Sequence, residues 1–518
     1  MRSWLGKNRE TVVEIKSVLL VRVSSTVDKD VEHPQFFDPC YPLKYIQAGL
    51  QSHPGVTVQV IDCWVRPMGF RRLTEHAHRL QPDLVVVSAS SFDVHIADRF
   101  AADLKQMTRP PIIIGIGQGY YCNNGVGCHD HRDYDAILLG EPEEAFFSLF
   151  ERMLRDNHDN RRDWVDYYRA QYLKGHQFLV TAPDELAFPP YTQEELEAYR
   201  SIFPVRLPLR VTWGYTIGMR GCPHDCVFCS EVMRVSVGKK LRRRSARNVA
   251  DEFEHMARQG VNIVSFQDDS FSAHRGFVQA VCEELIARNS KMPWMARARV
   301  DELDFELLQL MRRAGCLMLG IGVESGSQRI IDALQKTRKP QPWADLCRQV
   351  FHWTRQLGIG TNAYYVIGNP TETAEEIEQT IRLALELNSD SIQVHFYTPY
   401  PGSKAWEQVK HRISEADTRE MFHYAVPKFT LSEVPVDQLV KLRSSFYRRY
   451  IFRPGFAFQH LRAHWRFYRH NPDIFKTLLG IRKVFLGRRL RRDNSHGSPQ
   501  ATQPERFCLK PNQRGNAI

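Results

Sequence analysis

Three closely spaced cysteines are the residues of this chain best suited to metal chemistry: Cys222, Cys226 and Cys229, in a C-x3-C-x2-C arrangement. Thiolates are soft ligands that suit iron–sulfur clusters, and a closed 4Fe-4S cluster takes four of them, so three leave one iron open to a ligand that is not protein. The ring of Phe228 precedes the third cysteine, where it can shield the cluster or flank its ligand. The spacing alone also allows a zinc site that adds His224, or three buried cysteines with a packing role. Zinc sites usually use a second C-x2-C pair, and none follows here.

The segment from Gly221 to Cys229 resembles the signature of the radical S-adenosylmethionine (SAM) enzymes, in which an aromatic residue precedes the third cysteine. The resemblance implies a 4Fe-4S cluster whose open iron binds the amino and carboxylate groups of SAM. One electron from the cluster then cleaves the sulfonium and yields a 5′-deoxyadenosyl radical. An electron donor such as flavodoxin or ferredoxin is implied as a partner.

Strand and helix patterns alternate on both sides of the cysteines and predict that the loop carrying them follows the first strand of a barrel. Six repeats fit the partial (βα)6 TIM-like barrel that the resemblance implies, with the active site at the carboxyl ends of the strands. The predicted strands are Leu209–Ile217, Asn262–Gln267, Trp294–Val300, Leu317–Glu324, Gly360–Ile367 and Ser391–Tyr397.

Residues at the ends of these strands match the radical SAM barrel, and the resemblance implies that they bind SAM. An acidic turn after the second strand holds the SAM ammonium, a carboxylate after the fourth accepts from the ribose or the amine, and a glycine after the fifth lies near adenine. The implied SAM-binding residues are Phe228, Gln267, Asp268, Asp269, Arg297, Glu324, Ser325 and Gly368.

Two arginines of the third predicted strand, Arg297 and Arg299, alternate with alanines and are predicted to share one face. If that face is the barrel interior, they bind the SAM carboxylate or an anionic substrate. Taken singly, paired aspartates are more often a cap and a salt bridge, and a glutamate in a turn is usually a capping residue. No residue is assigned as the catalytic acid or base.

The N-terminal part, residues 1–155, contains continuous Val/Ile/Leu strands bounded by turn residues and separated by helical patterns. This pattern predicts a doubly wound, Rossmann-like α/β domain with a parallel sheet and with ligands at the carboxyl ends of its strands. The predicted strands are Ser17–Val23, Val56–Asp62, Asp83–Ser88, Pro111–Gly115 and Ala136–Leu139.

This part resembles the cobalamin-binding domain that precedes the barrel in a large radical SAM subfamily. The matching segments include Pro82–Ser88, Gly115–Gly119 and Tyr134–Glu143. The D-x-H-x-x-G loop of classical cobalamin proteins is absent after the first strand, so the resemblance implies cobalamin without a histidine ligand. An α/β domain kept for packing or for another ligand stays open as the alternative. The implied cobalamin-binding residues are Ser88, Ser90, Gly115, Gly117, Gly119, Gly140 and Glu141.

The remaining boundaries follow from composition. Residues 156–205 are predicted to be a connector, 206–408 the barrel, 409–492 a C-terminal helical region and 493–518 a disordered tail. The net charge is +11, with much of the excess in Lys239–Arg244 and Arg482–Arg492. Residues 474–489 form a basic amphipathic pattern that predicts core packing or docking on a membrane surface.

Composition also bears on location. A chain of 518 residues has no apolar run long enough for a membrane span and no signal-peptide core. Its eleven cysteines are sparse and unpatterned outside the cluster motif, which favours a reducing compartment. We expect a cytoplasmic protein, with peripheral contact at the inner face of the membrane if the basic helix docks there.

The function implied by both resemblances is cobalamin-dependent methylation of an unactivated carbon in a small molecule or a lipid. The alternatives are a radical SAM cyclase of the anaerobic porphyrin-ester type and a radical SAM enzyme without cobalamin. The basic patches suggest an RNA-modifying enzyme as a further alternative, but the N-terminal part lacks the three-cysteine pattern of the tRNA methylthiotransferases. A zinc-binding scaffold without enzymatic activity is the last alternative. No nucleic-acid partner is expected.

Overall fold

A computed structural model describes most of the chain between residues 15 and 453. The described residues are 15–24, 40–65, 68–90, 93–120, 131–155, 161–174, 176–198, 200–201, 211–229, 238–400, 403–413 and 426–453. The chain separates into two units, Met1–His470 and Asn471–Ile518, and the second lies wholly outside the described residues. The basic amphipathic pattern and the predicted tail belong to that second unit.

Six strands form the first sheet: β1 (Ser17–Arg22), β2 (Thr57–Asp62), β3 (Leu84–Ser88), β4 (Ile112–Ile116), β5 (Ala136–Gly140) and β6 (Gln177–Phe178). Their order is β2-β1-β3-β4-β5-β6, and all neighbours pair in parallel. The strand order reverses between β1 and β3, which is where a doubly wound sheet opens a crevice at its carboxyl edge.

Helices cover both faces of this sheet: α1 (Tyr41–Leu50), α2 (Phe70–Leu80), α3 (Val94–Leu104), α4 (Pro142–Arg155) and α5 (Arg161–Leu173). Alternate residues of β1 serve the two faces. Val18 and Leu20 pack with α1 and α4, whereas Leu19 and Val21 pack with α2 and α3. The predicted doubly wound domain is confirmed.

The segment predicted to be an irregular connector contains α5 and contributes β6 to the first sheet. Trp164 and Tyr168 lie one helical turn apart and pack against this domain, with the ring of Tyr168 5.5 Å from that of Phe178. The prolines of the segment suggested a linker, but this aromatic pair has the spacing of a buried helix face.

Nine further strands follow: β7 (Arg200–Ser201), β8 (Val211–Thr216), β9 (Met219–Arg220), β10 (Arg242–Arg243), β11 (Ile263–Phe266), β12 (Trp294–Ala298), β13 (Cys316–Glu324), β14 (Gly360–Ile367) and β15 (Ser391–Phe396). β9 and β10 form a separate antiparallel hairpin. The others form the second sheet in the order β15-β14-β13-β12-β11-β8-β7, parallel throughout except for β7. This curled sheet is the predicted partial barrel.

The helices of this part are α6 (Gln193–Ala198), α7 (Ala246–Arg258), α8 (Arg275–Ala287), α9 (Phe305–Arg313), α10 (Gln328–Ala333), α11 (Trp343–Leu357), α12 (Ala374–Leu387), α13 (Lys404–Val409) and α14 (Val436–Ile451). Local sequence sets several ends. Thr373 and Glu376 form a capping box at the start of α12, and Gly358 ends α11 in the left-handed region.

The two faces of the barrel strands differ in chemistry. Leu319, Ile321 and Val323 of β13 belong to the core under the helices. Gly320 and Gly322 alternate with them and therefore lie on the inner face. Other side chains fill the space beside these glycines, since a Cβ on Gly320 would meet Tyr364 and one on Gly322 would meet Glu324. The carboxyl ends of all six parallel strands meet at one edge of the sheet.

The C-terminal region, predicted to be helical, contains an irregular stretch among its described residues. Between residues 426 and 435 the chain is irregular, and this stretch includes Pro427 and Pro435, which disfavour a continuous helix. The following helix, α14, packs on the barrel, with the ring of Phe446 5.2 Å from that of Tyr365. In the described part of the chain, no helix combines the length and the apolar character that crossing a membrane requires.

Candidate active site

The three cysteines lie on the loop between β9 and β10, at the carboxyl end of the first barrel strand. Backbone hydrogen bonds hold the described part of this loop. The amide of Cys222 donates to the carbonyl of Gly238 at 3.2 Å, and that of Val227 donates to Leu334 at 3.0 Å. The second bond joins the loop to the end of α10, so the cysteines are positioned by the barrel as well as by the hairpin.

The thiols lie in a partly desolvated, electropositive setting. Nη1 of Arg299 donates to Sγ of Cys226 across 3.4 Å, and Cys226 is buried. Burial raises the pKa of Cys222 to about 11, so metal binding there must displace a proton. Among the described residues, no group of three His, Cys, Asp or Glu side chains has the arrangement of a single-ion site. Three thiols on one loop fit the three corners of a 4Fe-4S cluster, with the fourth iron free for SAM.

Phe228 is partly buried and lies near a buried ion pair. Nζ of Lys336 lies 5.7 Å from the centre of the Phe228 ring and 2.7 Å from a carboxylate oxygen of Glu324. Both charged side chains are buried, and Glu324 has a φ of +64°, in the left-handed region that a side chain rarely adopts. The structure therefore brings two of the predicted SAM-binding residues together through Lys336, a residue that sequence reasoning missed.

The two aspartates after β11 support the hairpin that carries the cysteines. Oδ1 of Asp268 accepts from the amide of Gly218 at 2.8 Å, and Asp269 accepts from the amide of Gly221. Burial raises the pKa of Asp268 to about 7 and that of Asp269 to about 6. The positive charge of Arg297 partly offsets the effect of burial on the pKa of Asp269. Oδ2 of Asp268 is buried and accepts no hydrogen bond from the described residues, so it is available to a donor such as an ammonium group.

The two arginines predicted to share one face have different surroundings. β12 ends at Ala298, so Arg299 lies beyond the strand and turns inward to Asp301 and Cys226. Arg297 stays on the inner face, is exposed, and acts electrostatically on Asp269. The backbone of Arg299 is still extended, with φ −108° and ψ 141°, so the common face of Arg297 and Arg299 stays a prediction, although the contacts of the two side chains differ.

Three other predicted SAM-binding residues have local roles. Oγ of Ser325 lies 3.1 Å from that of Thr380, and it is buried. Gly368 has a φ of +80°, and its amide donates to Glu372 at 2.7 Å. Nε2 of Gln267 donates to Ser265 on the inner face.

At the carboxyl edge of the first sheet, Gly117 and Gly119 allow the chain to approach itself. A Cβ on Gly117 would lie 2.6 Å from the carbonyl oxygen of Ala89, and one on Gly119 would lie 2.5 Å from that of Ser90. Gly115 is likewise closed in, by Tyr120, Tyr134 and Ile137, and Gly140 by the backbone of Phe178. These glycines bring loops of the protein together, so a corrin would have to rest on the paired loops.

The serines at this edge also have protein partners. Oγ of Ser88 lies 3.2 Å from Sγ of Cys40, and Oγ of Ser90 donates to Asp93 at 2.5 Å. Glu141 directly follows β5 at this same edge, and its carboxylate binds Arg242 and the amide of Val180. It thereby contacts the barrel part of the chain, and its role in cobalamin binding stays a prediction.

Sequence reasoning missed two further polar groups near the cysteines. Glu302 lies 2.5 Å from Nε2 of His224 and accepts from Ser270 at 2.9 Å, so it links the cysteine loop to the turn after β11. On the inner face, Tyr364 and His395 stack with ring centres 6.4 Å apart. The alternation of Tyr364 and His395 with core residues in β14 and β15 could have indicated their place on the inner face. No comparable pattern in the sequence indicates the position of the isolated Glu302.

Comparison with known proteins agrees with this architecture. Residues 216–384 match the model of the radical SAM superfamily. The chain is 23% identical over 432 residues to an uncharacterized methyltransferase of Pyrococcus horikoshii, covering 83% of this chain and 90% of that protein. It is 24% identical over 462 residues to the anaerobic magnesium-protoporphyrin IX monomethyl ester cyclase of Rubrivivax gelatinosus, covering 85% and 78%.

Among solved structures, the chain is similar in fold to the radical SAM methyltransferase TsrM from Kitasatospora setae, whose structure holds cobalamin and a [4Fe-4S] cluster. The TM-score is 0.59, with 16% identity, 77% of this chain covered and 79% of that one. The cysteine loop follows the first strand of the curled sheet and begins within the matched segment. Residues 216–384 of this chain therefore form a radical SAM domain.

Proposed function

We propose that this protein binds a 4Fe-4S cluster through Cys222, Cys226 and Cys229, cleaves SAM reductively and, with cobalamin, methylates an unactivated carbon of a small molecule or lipid. The observation that carries the proposal is the placement of three thiols on one loop at the carboxyl end of the first barrel strand, on a hairpin whose preceding amide, that of Gly218, binds the buried Asp268 with its one unsatisfied oxygen. When bound, the cluster supplies the electron for SAM cleavage and cobalamin supplies the methyl group.

The residues of this chain would then have distinct roles. Arg299 stabilises the thiolate of Cys226 and holds the loop, because its guanidinium also binds Asp301. Asp268 offers its free oxygen to the SAM ammonium, and Arg297 lies on the inner face, where it can bind a carboxylate.

The assignment of cobalamin rests on the first sheet. Its strand order leaves a crevice at the carboxyl edge between β1 and β3, and loops with small residues follow β3 and β4. The structure of TsrM adds support, because that protein holds cobalamin on a similar fold. Ser88, Ser90 and the glycines at 115, 117 and 119 would shape this edge, with no histidine ligand from the loop after β1.

A direct experiment is anaerobic reconstitution with iron and sulfide, followed by SAM and dithionite. We expect a brown protein that releases 5′-deoxyadenosine and methionine, and a Cys226→Ala variant that holds less iron and releases neither. A protein loaded with iron that yields no deoxyadenosine contradicts the radical SAM activity.

A second candidate, ring formation, is favoured by the similarity to the magnesium-protoporphyrin ester cyclase. Methyl-labelled SAM separates the two. The methylase proposal expects corrin to bind, seen by its absorption, and expects the label to pass from SAM to the bound corrin. Corrin binding without label transfer, together with deoxyadenosine release, favours the cyclase. Absence of corrin binding favours a cobalamin-independent enzyme.

A further inference from the structure

The cysteine loop closes on a very short stem. β9 and β10 pair through two residues on each strand, and Arg220 lies directly opposite Arg242. Two like charges at opposite positions of an antiparallel pair destabilise it. The stem therefore needs negative charge from elsewhere in order to hold the loop in shape.

The N-terminal domain supplies that charge. Oε1 of Glu143 accepts from Arg220 at 2.9 Å, and Oε1 of Glu141 accepts from Arg242 at 2.8 Å. The second oxygen of Glu141 also contacts Arg242 and lies 3.7 Å from Arg220. One glutamate thus bridges both arginines, and the other binds the arginine that stands two residues before Cys222.

All four side chains are withdrawn from water. Their exposed fractions are 3% for Glu141, 1% for Glu143, 7% for Arg220 and 12% for Arg242. Buried charges are tolerated when they are paired, and removing one partner leaves the other uncompensated. The ring of Tyr45, on α1, lies 5.4 Å from the guanidinium of Arg220 and adds a further contact from the same domain.

The glutamates sit at a rigid corner. Glu141 follows the last residue of β5, and Glu143 begins α4. The carboxylate of Glu141 is oriented further by the amide of Val180, which donates to it at 2.7 Å. The carboxylate of Glu141 is therefore held by the backbone as well as by the arginines, so the corner can orient the two arginines.

From these contacts we infer that Glu141 and Glu143 are positioning residues through which the N-terminal domain holds the stem of the cysteine loop, so that retention of the cluster depends on this domain. This inference rests on the proposed function, because it requires a cluster on the loop. It gives the N-terminal domain a role in the cluster site that is separate from any cobalamin it binds.

The test uses the full-length protein, reconstituted anaerobically, and the variants Glu141→Gln and Glu143→Gln. The readouts are the rate of iron release to a ferrous chelator and the electron paramagnetic resonance spectrum of the reduced cluster. We expect each variant to release iron about tenfold faster or more, as for outer-shell partners of metal sites. Glu144→Gln is the matched control, because Glu144 follows Glu143 directly, is exposed and binds Thr181. It should release iron at the wild-type rate.

A double variant distinguishes a specific pair from general damage. Arg220→Met leaves Glu143 without its partner, whereas Arg220→Met with Glu143→Met removes both charges. The double variant should release iron more slowly than Arg220→Met alone, with far-ultraviolet circular dichroism unchanged. The inference is overturned if both glutamine variants release iron at the wild-type rate. It is also overturned if the effects of Arg220→Met and Glu143→Met on the rate of iron release simply add in the double variant. Neither outcome affects SAM cleavage by the wild-type protein. A wild-type protein that holds no cluster after reconstitution overturns both this inference and the proposed function.

Discussion

Nη1 of Arg299 lies 3.4 Å from Sγ of Cys226 and donates a hydrogen bond to it. The guanidinium is held on its other side by Asp301, at 2.9 and 3.0 Å, and by the carbonyl of Lys336. It is therefore a fixed buried cation, and no rearrangement is needed to place it beside the thiolate. Hydrogen bonds to cluster sulfurs and nearby charge are among the factors that set the reduction potential of an iron–sulfur cluster.

Replacing Arg299 by glutamine should lower the midpoint potential of the cluster, because the reduced form carries more negative charge and loses a nearby cation. A tenfold change in the equilibrium constant corresponds to ~59 mV for one electron, and we expect a shift of about that size. Redox titration followed by electron paramagnetic resonance measures it. Arg313→Gln, at an exposed position of α9, is the control and should leave the potential unchanged. An unchanged potential in Arg299→Gln, at full iron content, contradicts the assignment.

Lys336→Met should destabilise the protein, because it leaves the carboxylate of Glu324 buried without its ammonium partner at 2.7 Å. Breaking a buried pair on one side costs about 3–5 kcal/mol. Adding Glu324→Gln removes the stranded charge and should recover part of that loss. Urea unfolding followed by tryptophan fluorescence gives the free energies. If the double variant is as unstable as the sum of the single variants, the two side chains do not act as a pair.

Glu372 predicts a pH dependence of stability. Burial raises its pKa to about 7 from an ordinary 4.5, so the folded protein keeps a proton that the unfolded chain has lost. Its stabilising contribution is complete below about pH 4.5 and is lost as the pH rises through 7. Glu372→Gln should abolish this dependence. Between pH 4 and pH 8, the free energy of unfolding of the variant should rise relative to that of the wild type by up to about 3 kcal/mol.

Urea unfolding of the wild type and of Glu372→Gln across pH 4 to 8 measures the effect. Glu375→Gln is the matched control on the same segment, because Glu375 is exposed and pairs with Arg382 at the surface. Parallel curves for the wild type and Glu372→Gln rule out the predicted titration.

Gly221→Ala should impair cluster binding, because Gly221 directly precedes Cys222 and has a φ of +96°. A Cβ there would lie 2.5 Å from the carbonyl oxygen of Lys240, across the loop. The strain of a side chain in that region is about 1–3 kcal/mol, and the clash adds to it. We expect a lower iron content after reconstitution. Gly69→Ala has an ordinary φ of −61° and open space around it, so it should bind iron like the wild type.

Much of the architecture could be predicted because it is encoded in short-range patterns. The strand β3, for instance, is a continuous apolar run that is buried on both faces, as parallel strands are. Period-two alternation and helix caps are likewise local, so β1 to β5 and the six parallel barrel strands were found within a few residues of their ends, whereas the two-residue strands β6 and β7 were not found. The segment containing α5 was missed because its helical face is carried by a few aromatic residues among charged ones.

By itself, the sequence determined the order of the two α/β parts and the three thiols that define the chemistry, since both depend on residues close together in the chain. Only the tertiary structure decided which charges meet. Glu141 binds Arg242, 101 residues away, and Arg299 reaches Cys226 across 73 residues. Such pairs leave no local pattern, because what selects them is the burial of opposite charges at a contact that exists only after the chain has folded.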